Sequence, residues 1–226
     1  FNNAIRLVLL PMAATRTTAP ASGIELVRRL ANEGERIFSV DRVREMAVEV
    51  GVSREYVPEL LHRLAKSGWV VRLRRGLYAV SAALPGAADV HEFEIAMALV
   101  NPAAISHWSA LHYHGLTDQP PRQVFVLTTT DASVPRPGGQ QWVGPGEGYL
   151  AGDTRFRFIQ IRPDRFFGTR NVWIGEARVS ITDPERTLID GLTMPQLCGD
   201  FAEVLQAFDV RGSKLELDRI IDYALR

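Results

Sequence analysis

A glycine at position 51 separates two segments whose apolar residues recur at helical spacing. Glycine readily takes the left-handed conformation that ends many helices, and the hydroxyl of Ser53, two residues later, is a typical helix cap. The apolar positions are Val43, Met46, Ala47 and Val50 before the glycine, and Val57, Leu60, Leu61 and Leu64 after it. This spacing predicts two helices joined by a tight turn, which is a helix-turn-helix.

A β-hairpin is predicted directly after the second of these helices. Residues 69–80 contain two β-rich runs around the sequence Arg-Arg-Gly at positions 74–76. Upstream, Ser22 stands three residues before Glu25, which is the spacing of a capping box and predicts the start of one more helix. Three helices followed by a hairpin form a winged helix-turn-helix, and we assign residues 22–82 to it. Residues 1–21 are predicted to be an N-terminal extension and linker, in which Met12 is a plausible coding start.

The hairpin has apolar and basic residues that are expected to take different roles. The apolar positions expected to cover the helical core are Val71, Leu73, Leu77 and Tyr78. Arg72, Arg74 and Arg75 would then project at the strand edge and the tip.

The formal net charge of zero conceals two parts of opposite sign. Residues 1–80 contain 13 basic and eight acidic residues, a net +5, whereas residues 81–226 contain 13 basic and 18 acidic residues, a net −5. This asymmetry favours a basic binding module joined to a part with a different task.

The third helix and the hairpin carry the candidate contacts to DNA. A third helix of about 14 residues would extend roughly 21 Å, long enough to lie in a major groove. Arg54 and Tyr56, near its N-terminus, are expected at base edges or adjacent phosphates, and the hairpin arginines at phosphate or in the minor groove. The predicted DNA-binding residues are Arg42, Arg44, Ser53, Arg54, Tyr56, His62, Arg63, Lys66, Arg72, Arg74 and Arg75.

Three residues of the third helix count against this interpretation. Glu55 and Glu59 place negative charge on the face meant for phosphate, and Pro58 can remove one backbone hydrogen bond. The alternative is a winged helix that contacts protein, with its arginines solvated.

Residues 90–226 are predicted to form a mixed α+β domain, so the fold class of the whole chain is α+β. Helices are predicted at 91–100, 106–114, from 183 onward, at 200–208 and at 214–226. Strands are predicted at 124–128, 155–161, 172–174 and 178–181, with a long irregular loop at 135–148.

Three segments, in this order, resemble AbiEi-type antitoxins, the DNA-binding members of type IV AbiE toxin–antitoxin systems. Residues 60–78 (LLHRLAKSGWVVRLRRGLY) are similar to the winged helix of that family, 105–116 (ISHWSALHYHGL) to a short helix after it, and 182–190 (TDPERTLID) to a C-terminal motif. The resemblance implies further helical sequence after residue 226.

The resemblance implies a transcriptional repressor of its own operon that binds inverted repeats in double-stranded promoter DNA. It also implies a C-terminal domain that counters a nucleotidyltransferase-like toxin, without a requirement for a stable complex. A two-fold dimer on DNA is expected, because palindromic half-sites mirror the symmetry of the protein.

The sequence gives less support to a metal site, a cofactor or a catalytic role. His107, His112 and His114 do not share one helical face, so no metal site or cofactor is predicted. Asp183 and Glu185 suit a helix N-terminus, and Arg186 can pair with Asp190 one turn later, so a structural role is expected for these acids. Two alternatives stay open: a catalytic C-terminal domain, either a nuclease or a toxin-modifying enzyme, and a protein adaptor that does not bind DNA.

The sequence also indicates in which cellular compartment the protein is expected. The single cysteine, Cys198, excludes an internal disulfide, and no apolar run approaches the roughly 20 residues needed to cross a bilayer. A cytoplasmic protein without a membrane segment is therefore expected. The sequence contains no P-loop, HExxH or GxSxG motif, so no enzymatic activity is expected.

Overall fold

Three helices and a three-stranded sheet form the N-terminal domain. The computed structural model describes residues 19–135, 148–211 and 215–226. The elements of the domain are α1 (Ala19–Asn32), β1 (Ile37–Ser39), α2 (Val40–Glu49), α3 (Val57–Lys66), β2 (Val70–Arg74) and β3 (Leu77–Val80). The α+β fold class and the order of helix-turn-helix and hairpin are confirmed.

The ends of the helices follow from local chemistry, with two differences from the prediction. Helix α2 is capped by Ser39, whose hydroxyl accepts a hydrogen bond from the Arg42 amide at 3.1 Å, and Gly51 takes the left-handed conformation at φ +72°. Helix α1 begins at Ala19, so the predicted start at Ser22 is wrong.

The predicted start of the third helix is also wrong. The Ser53 side chain forms no cap hydrogen bond, a 3-10 turn occupies Arg54–Tyr56, and the α-helix begins at Val57. Pro58 explains the late start, because proline lacks an amide hydrogen and is tolerated only in the first turn of an α-helix. Helix α3 therefore has ten residues and extends about 15 Å.

The hairpin belongs to a three-stranded antiparallel sheet of order β1-β3-β2. Strand β1, which the sequence analysis missed, pairs with β3. Side chains alternate between the two faces of a strand, and both faces of this sheet are covered. Tyr78 lies in the helical core as predicted, together with Val70 and Val80, whereas Leu73 is buried in the core of the C-terminal domain. The assignment of Val71, Leu73 and Leu77 to the helical core is therefore wrong.

The C-terminal domain is built on a six-stranded mixed sheet of order β6-β7-β5-β4-β9-β8. Its strands are β4 (Ala104–Ile105), β5 (Val124–Thr129), β6 (Tyr149–Ala151), β7 (Thr154–Ile161), β8 (Thr169–Ile174) and β9 (Ala177–Thr182). Its helices are α4 (Glu92–Leu99), α5 (His107–Tyr113), α6 (Pro184–Thr193), α7 (Phe201–Arg211) and α8 (Leu217–Leu225). Pairs β5–β7 and β4–β9 are parallel and the other pairs are antiparallel. Most of the predicted loop at 135–148 lies outside the described residues.

Apolar residues from both domains form one core. Leu73 and Ala79 of the hairpin are buried together with Phe93, Val126 and Phe156 of the C-terminal domain. A smaller core among α5, α6 and α7 includes Leu111, Leu188 and Val204. Within the described ranges, no helix is both long and apolar enough to cross a membrane.

Polar contacts reinforce the junction between the domains. The Tyr149 hydroxyl donates a hydrogen bond to the Leu73 carbonyl at 2.7 Å, and Arg36 forms ion pairs with Glu94 at 3.1 Å and with Glu176 at 3.7 Å. Burial raises the pKa of the Glu94 carboxyl, against the opposing attraction of Arg36. The position of the hairpin is therefore fixed by the C-terminal domain.

Replacing Tyr149 by phenylalanine tests this junction. The variant loses the hydrogen bond to Leu73 and keeps the ring, so the free energy of unfolding should fall by about 1 kcal/mol. Urea denaturation measures the change. An unchanged midpoint would show that this hydrogen bond does not stabilise the folded chain.

Candidate nucleic-acid interface

Helix α3 separates an apolar face from a polar one. Val57, Leu60, Leu61 and Leu64 are buried against α1 and α2, so the side chains between them are directed outward. Arg54, in the preceding 3-10 turn, is exposed, and so are His62 and Lys66. The basic residues predicted on the third helix therefore occupy its solvent face.

Arg63 and Tyr56 interact with each other on this face. The Arg63 guanidinium donates to the Tyr56 hydroxyl at 3.0 Å and forms an ion pair with Glu59 at 3.2 Å. Glu59 therefore faces an arginine on its own helix, which offsets part of the negative charge that counted against DNA binding.

The two arginines predicted on α2 are engaged by acids. Arg42 lies within 2.9 Å of carboxylate oxygens on both Glu33 and Glu35, and its pKa is raised mainly by the hydrogen bond to Glu35. Arg44 pairs with Asp41 at 2.8 Å. A guanidinium that is already paired gains less from a phosphate, so these two positions are weaker candidates than the exposed cations of α3 and the hairpin.

The tip of the hairpin presents Arg74 and Arg75 to solvent. Gly76 takes φ +78° at the turn, and its carbonyl accepts a hydrogen bond from the Val40 amide at 3.0 Å. This bond fixes the turn beside the start of α2. Arg72 is also exposed on β2, and the C-terminal domain therefore does not cover the hairpin arginines.

Four exposed cations form what we call the open cation set: Arg54, Lys66, Arg74 and Arg75. None of them forms an ion pair with an acid in the part of the chain that the structure describes. The set draws on both elements that a winged helix presents to a duplex.

An acidic cleft lies at the base of the hairpin, away from its tip. The cleft has a volume of about 460 Å³ and is lined by Val71, Val80 and the acids Asp89, Glu92 and Asp153. These carboxylates repel phosphate, so this cleft is an unfavourable place for a nucleic-acid backbone.

The three histidines of residues 105–116 have separate surroundings. The His114 Nε2 donates to the Thr182 carbonyl at 2.7 Å, His107 is fully buried against Phe125, and His112 is exposed. Among the described residues, no three His, Cys, Asp or Glu side chains are grouped as metal ligands would be.

The acids of residues 182–190 hold helices of the C-terminal domain in place. Asp183 caps α6, and its other carboxylate oxygen accepts a hydrogen bond from the Tyr223 hydroxyl at 2.8 Å. Burial, with a contribution from this bond, raises the pKa of Tyr223 to about 12. Glu185 accepts a hydrogen bond from the Glu216 amide at the start of α8. The capping role predicted for Asp183 is confirmed.

His107 combines burial with an unusual backbone conformation. Its φ is +48°, and its Nε2 has no hydrogen-bond partner among the described residues. Burial, reinforced by the positive charges of Arg186 and Arg157, lowers the pKa of this imidazole to about 3. The ring is therefore neutral across the physiological range.

This lowered pKa predicts a loss of stability in mild acid. Below the ordinary histidine value of 6.5 the unfolded chain takes up a proton and the folded chain does not, so stability falls as the pH falls. Relative to His107→Gln, the wild-type chain should lose about 1 kcal/mol of unfolding free energy between about pH 6.5 and about pH 5.5, because the unfolded imidazole is only half protonated at the upper value. Urea denaturation of both proteins at about pH 6.5 and about pH 5.5 measures this. A constant difference between the two would show that the folded imidazole also takes up a proton.

Residues 25–81, which contain the helix-turn-helix and the hairpin, match a protein family described as transcriptional regulator, AbiEi antitoxin. The N-terminal domain is therefore similar to AbiEi antitoxins. The resemblance found from the sequence is thereby confirmed for this segment.

A solved structure shares the fold of the larger part of this chain. The crystal structure of the Rv2827c protein from Mycobacterium tuberculosis superposes with a TM-score of 0.65 and 16% sequence identity, covering 90% of this chain and 71% of that one. At this identity the likeness establishes the fold alone. No curated protein sequence matches the chain.

Proposed function

We propose that this protein is a transcriptional repressor that binds its own promoter and acts as the antitoxin of a type IV pair. The observation that carries the proposal is the open cation set, which presents four exposed charges on α3, the turn before it and the hairpin tip, each without an ion pair in the described part of the chain. Neutralising phosphates with such charges releases counterions, which is the main source of affinity for duplex DNA.

The two basic elements have different roles in the proposed complex. Helix α3, about 15 Å long, enters the major groove with its N-terminal end leading. Arg54, in the 3-10 turn before the helix, lies at that end, where recognition helices meet base edges. Arg74 and Arg75 contact phosphate beside it, which fixes the orientation of the domain without reading sequence. Ser53, Tyr56, His62 and Arg63 border the same face and remain predicted contacts.

The proposed repressor acts as a two-fold dimer on inverted repeats. One winged helix covers one half-site, and equivalent surfaces of a dimer meet half-sites about 34 Å apart or at multiples of that distance. The described residues of this chain include one such domain, so two copies are required for a palindrome.

The antitoxin role is supported by the family match of the N-terminal domain. In the proposed pair, the C-terminal domain counters a nucleotidyltransferase-like toxin in the cytoplasm, and a stable complex between the two proteins is not required. We propose no catalytic step and no cofactor for this domain. Asp183, Glu185 and Asp190 are all buried in contacts that hold α6 and α8, so their carboxylates are not presented to a substrate.

Fluorescence anisotropy with two duplexes tests the repressor proposal. One duplex is the DNA upstream of the gene and the other has the same composition in scrambled order. The upstream duplex should bind about 10³-fold more tightly, which is the lower end for specific regulators. Equal affinity for both duplexes would contradict sequence-specific repression, and no binding to either would favour the protein-adaptor alternative.

A further inference from the structure

A second cleft lies on the C-terminal domain, and its lining differs in charge from the acidic cleft. It has a volume of about 510 Å³ and lies among the start of α5, the 119–123 loop, β7 and the turn at Pro195–Leu197. Its lining includes Trp108, Phe125, Arg122, Arg157, Gln119 and Gln196, and none of the described residues that line it carries a carboxylate. We propose that this cleft binds a nucleoside phosphate, with the two arginines on the phosphate and Trp108 on the base.

Arg157 is the strongest sign of an anionic ligand. It is only partly exposed, and neither it nor Arg122 has an ion pair or a hydrogen-bond partner among the described residues. A partly buried charge is normally paired, because removal from water is costly without a compensating partner. A phosphate between the two guanidiniums supplies that partner.

The sheet directs Arg157 into this cleft. Its neighbours Phe156 and Phe158 pack into the core shared with the hairpin, so alternation along β7 places Arg157 on the opposite face. Arg157 pairs in register with Phe125 of β5, which also lines the cleft. The backbone of Arg157 is thus held by the pairing of β7 with β5, and a site built on a strand is more precise than one built on a loop.

Trp108 is held in a fixed orientation at the cleft wall. Its indole N–H donates to the Gln119 carbonyl at 3.0 Å, so the ring offers a ligand its carbon surface and not its polar edge. An aromatic surface of this kind stacks on nucleobases, and every base has a face that can stack. A planar ring beside two cations matches the two halves of a nucleotide.

Glu203 contacts Gln119 of the cleft without lining the cleft itself. Glu203 accepts hydrogen bonds from the Thr117 hydroxyl and from the Gln119 side-chain amide, the latter at 3.2 Å. Its charge is therefore committed to those two groups. The side-chain amides of Gln119 and Gln196 add donors and acceptors of the kind that distinguish base edges.

The size of the cleft favours a single nucleotide over a duplex. Its volume lies within the 300–1,000 Å³ that is typical of small-molecule sites. The nucleotide has two possible sources, a free nucleoside triphosphate or an unpaired nucleotide within a single strand. This inference does not depend on the proposed repression, because the cleft shares no residue with the open cation set.

Isothermal titration calorimetry of the full chain tests the inference with the four nucleoside triphosphates, inorganic triphosphate and a short single-stranded oligonucleotide. At least one nucleoside triphosphate or the oligonucleotide should bind, and the tighter of the two identifies the source. Arg157→Gln should weaken binding about 10-fold or more, since a charged hydrogen bond contributes roughly 1.5–3 kcal/mol. Arg155→Gln, which removes an exposed charge from the same strand outside the cleft, is the matched control and should change affinity less than about twofold.

A second variant tests the contribution of the base. Trp108→Leu should reduce the affinity for the nucleoside triphosphate to that for inorganic triphosphate, whose own binding should not change. Thermal unfolding of each variant checks that the chain still folds. No binding of any probe would overturn the inference, and so would equal losses in Arg155→Gln and Arg157→Gln. Inorganic triphosphate that binds as tightly as every nucleotide would overturn the assignment to a nucleoside.

Discussion

Replacing Arg74 and Arg75 together by alanine is expected to weaken binding to the promoter duplex about 100-fold. Both side chains are exposed at the hairpin tip and form no ion pair within the described residues, so a phosphate is their available partner. A hydrogen bond to a charged group contributes about 1.5 kcal/mol at the lower end, and two such contacts account for the loss. Fluorescence anisotropy at constant salt measures it.

A matched pair on α1 controls for the general loss of charge. Arg28 and Arg29 are also adjacent and exposed, but they lie outside α3 and the hairpin. Their replacement by alanine removes the same two charges and should weaken binding less than about threefold, through screened long-range attraction only. Equal losses in the two double variants would show that net charge, rather than contact at the hairpin tip, determines affinity.

Replacing Arg186 by methionine is expected to lower the free energy of unfolding by about 3–5 kcal/mol, because it leaves a buried charge without its partner. Arg186 is 6% exposed, pairs with Asp190 at 2.9 Å, donates to the Arg165 carbonyl at 3.1 Å and lies over the Phe167 ring. Burial raises the pKa of Asp190 to about 6 even with the arginine present. The second oxygen of this carboxylate has no hydrogen-bond partner among the described residues.

The pH dependence of this loss follows from the direction of the Asp190 shift. The folded pKa lies above the unfolded one, so the group lowers stability as the pH rises through its folded pKa. Without Arg186 that pKa rises further, and the loss should be larger at about pH 8 than at about pH 5.5. Urea denaturation at both values measures it.

Two further variants separate a lost partner from lost packing. Adding Asp190→Leu to Arg186→Met removes the stranded carboxylate and should recover much of the stability, as apolar replacement of buried pairs often does. Arg162→Ala breaks the exposed pair with Asp164 and should cost less than about 1 kcal/mol. A double variant no more stable than Arg186→Met would show that the contacts with Arg165 and Phe167, and not the charge of Asp190, dominate.

The helical part of the N-terminal domain could be predicted because its signals are local. Apolar spacing in α2 and α3 and the left-handed Gly51 depend on neighbouring residues only. The cap at Asp183 was also predictable, since a carboxylate followed by proline favours a helix start in any context. The late start of α3 depends on Pro58. The apolar spacing and the hydroxyl of Ser53 placed the start of this helix too early, at Ser53.

The two covered faces of the hairpin could not be predicted from its pattern. Alternation shows that a strand has two faces, but it does not identify what packs on each. The pattern places Leu73 in the helical core, whereas the structure buries it with distant residues such as Phe93 and Phe156. Strands β1 and β4, with three and two residues, are too short to give a periodic signal.

The candidate interface could be predicted only in part, because some of its features are local and others depend on contacts between distant residues. Exposure of Arg54, Arg74 and Arg75 follows from local periodicity and turn position. The engagement of Arg42 depends on Glu33 and Glu35, which the turn after α1 brings within reach. The second cleft depends on the parallel pairing of β5 with β7, a non-local contact with no sequence motif.

The salt dependence of binding to the upstream duplex tests the central claim most directly. Four cations that neutralise phosphates should give a plot of the logarithm of the association constant against that of salt concentration with a slope of about −3.5 per bound protomer. The same plot for Arg74→Ala with Arg75→Ala should be shallower by nearly 2. A wild-type slope shallower than about −1 between about 50 mM and about 200 mM salt would contradict the claim that the open cation set binds duplex phosphates.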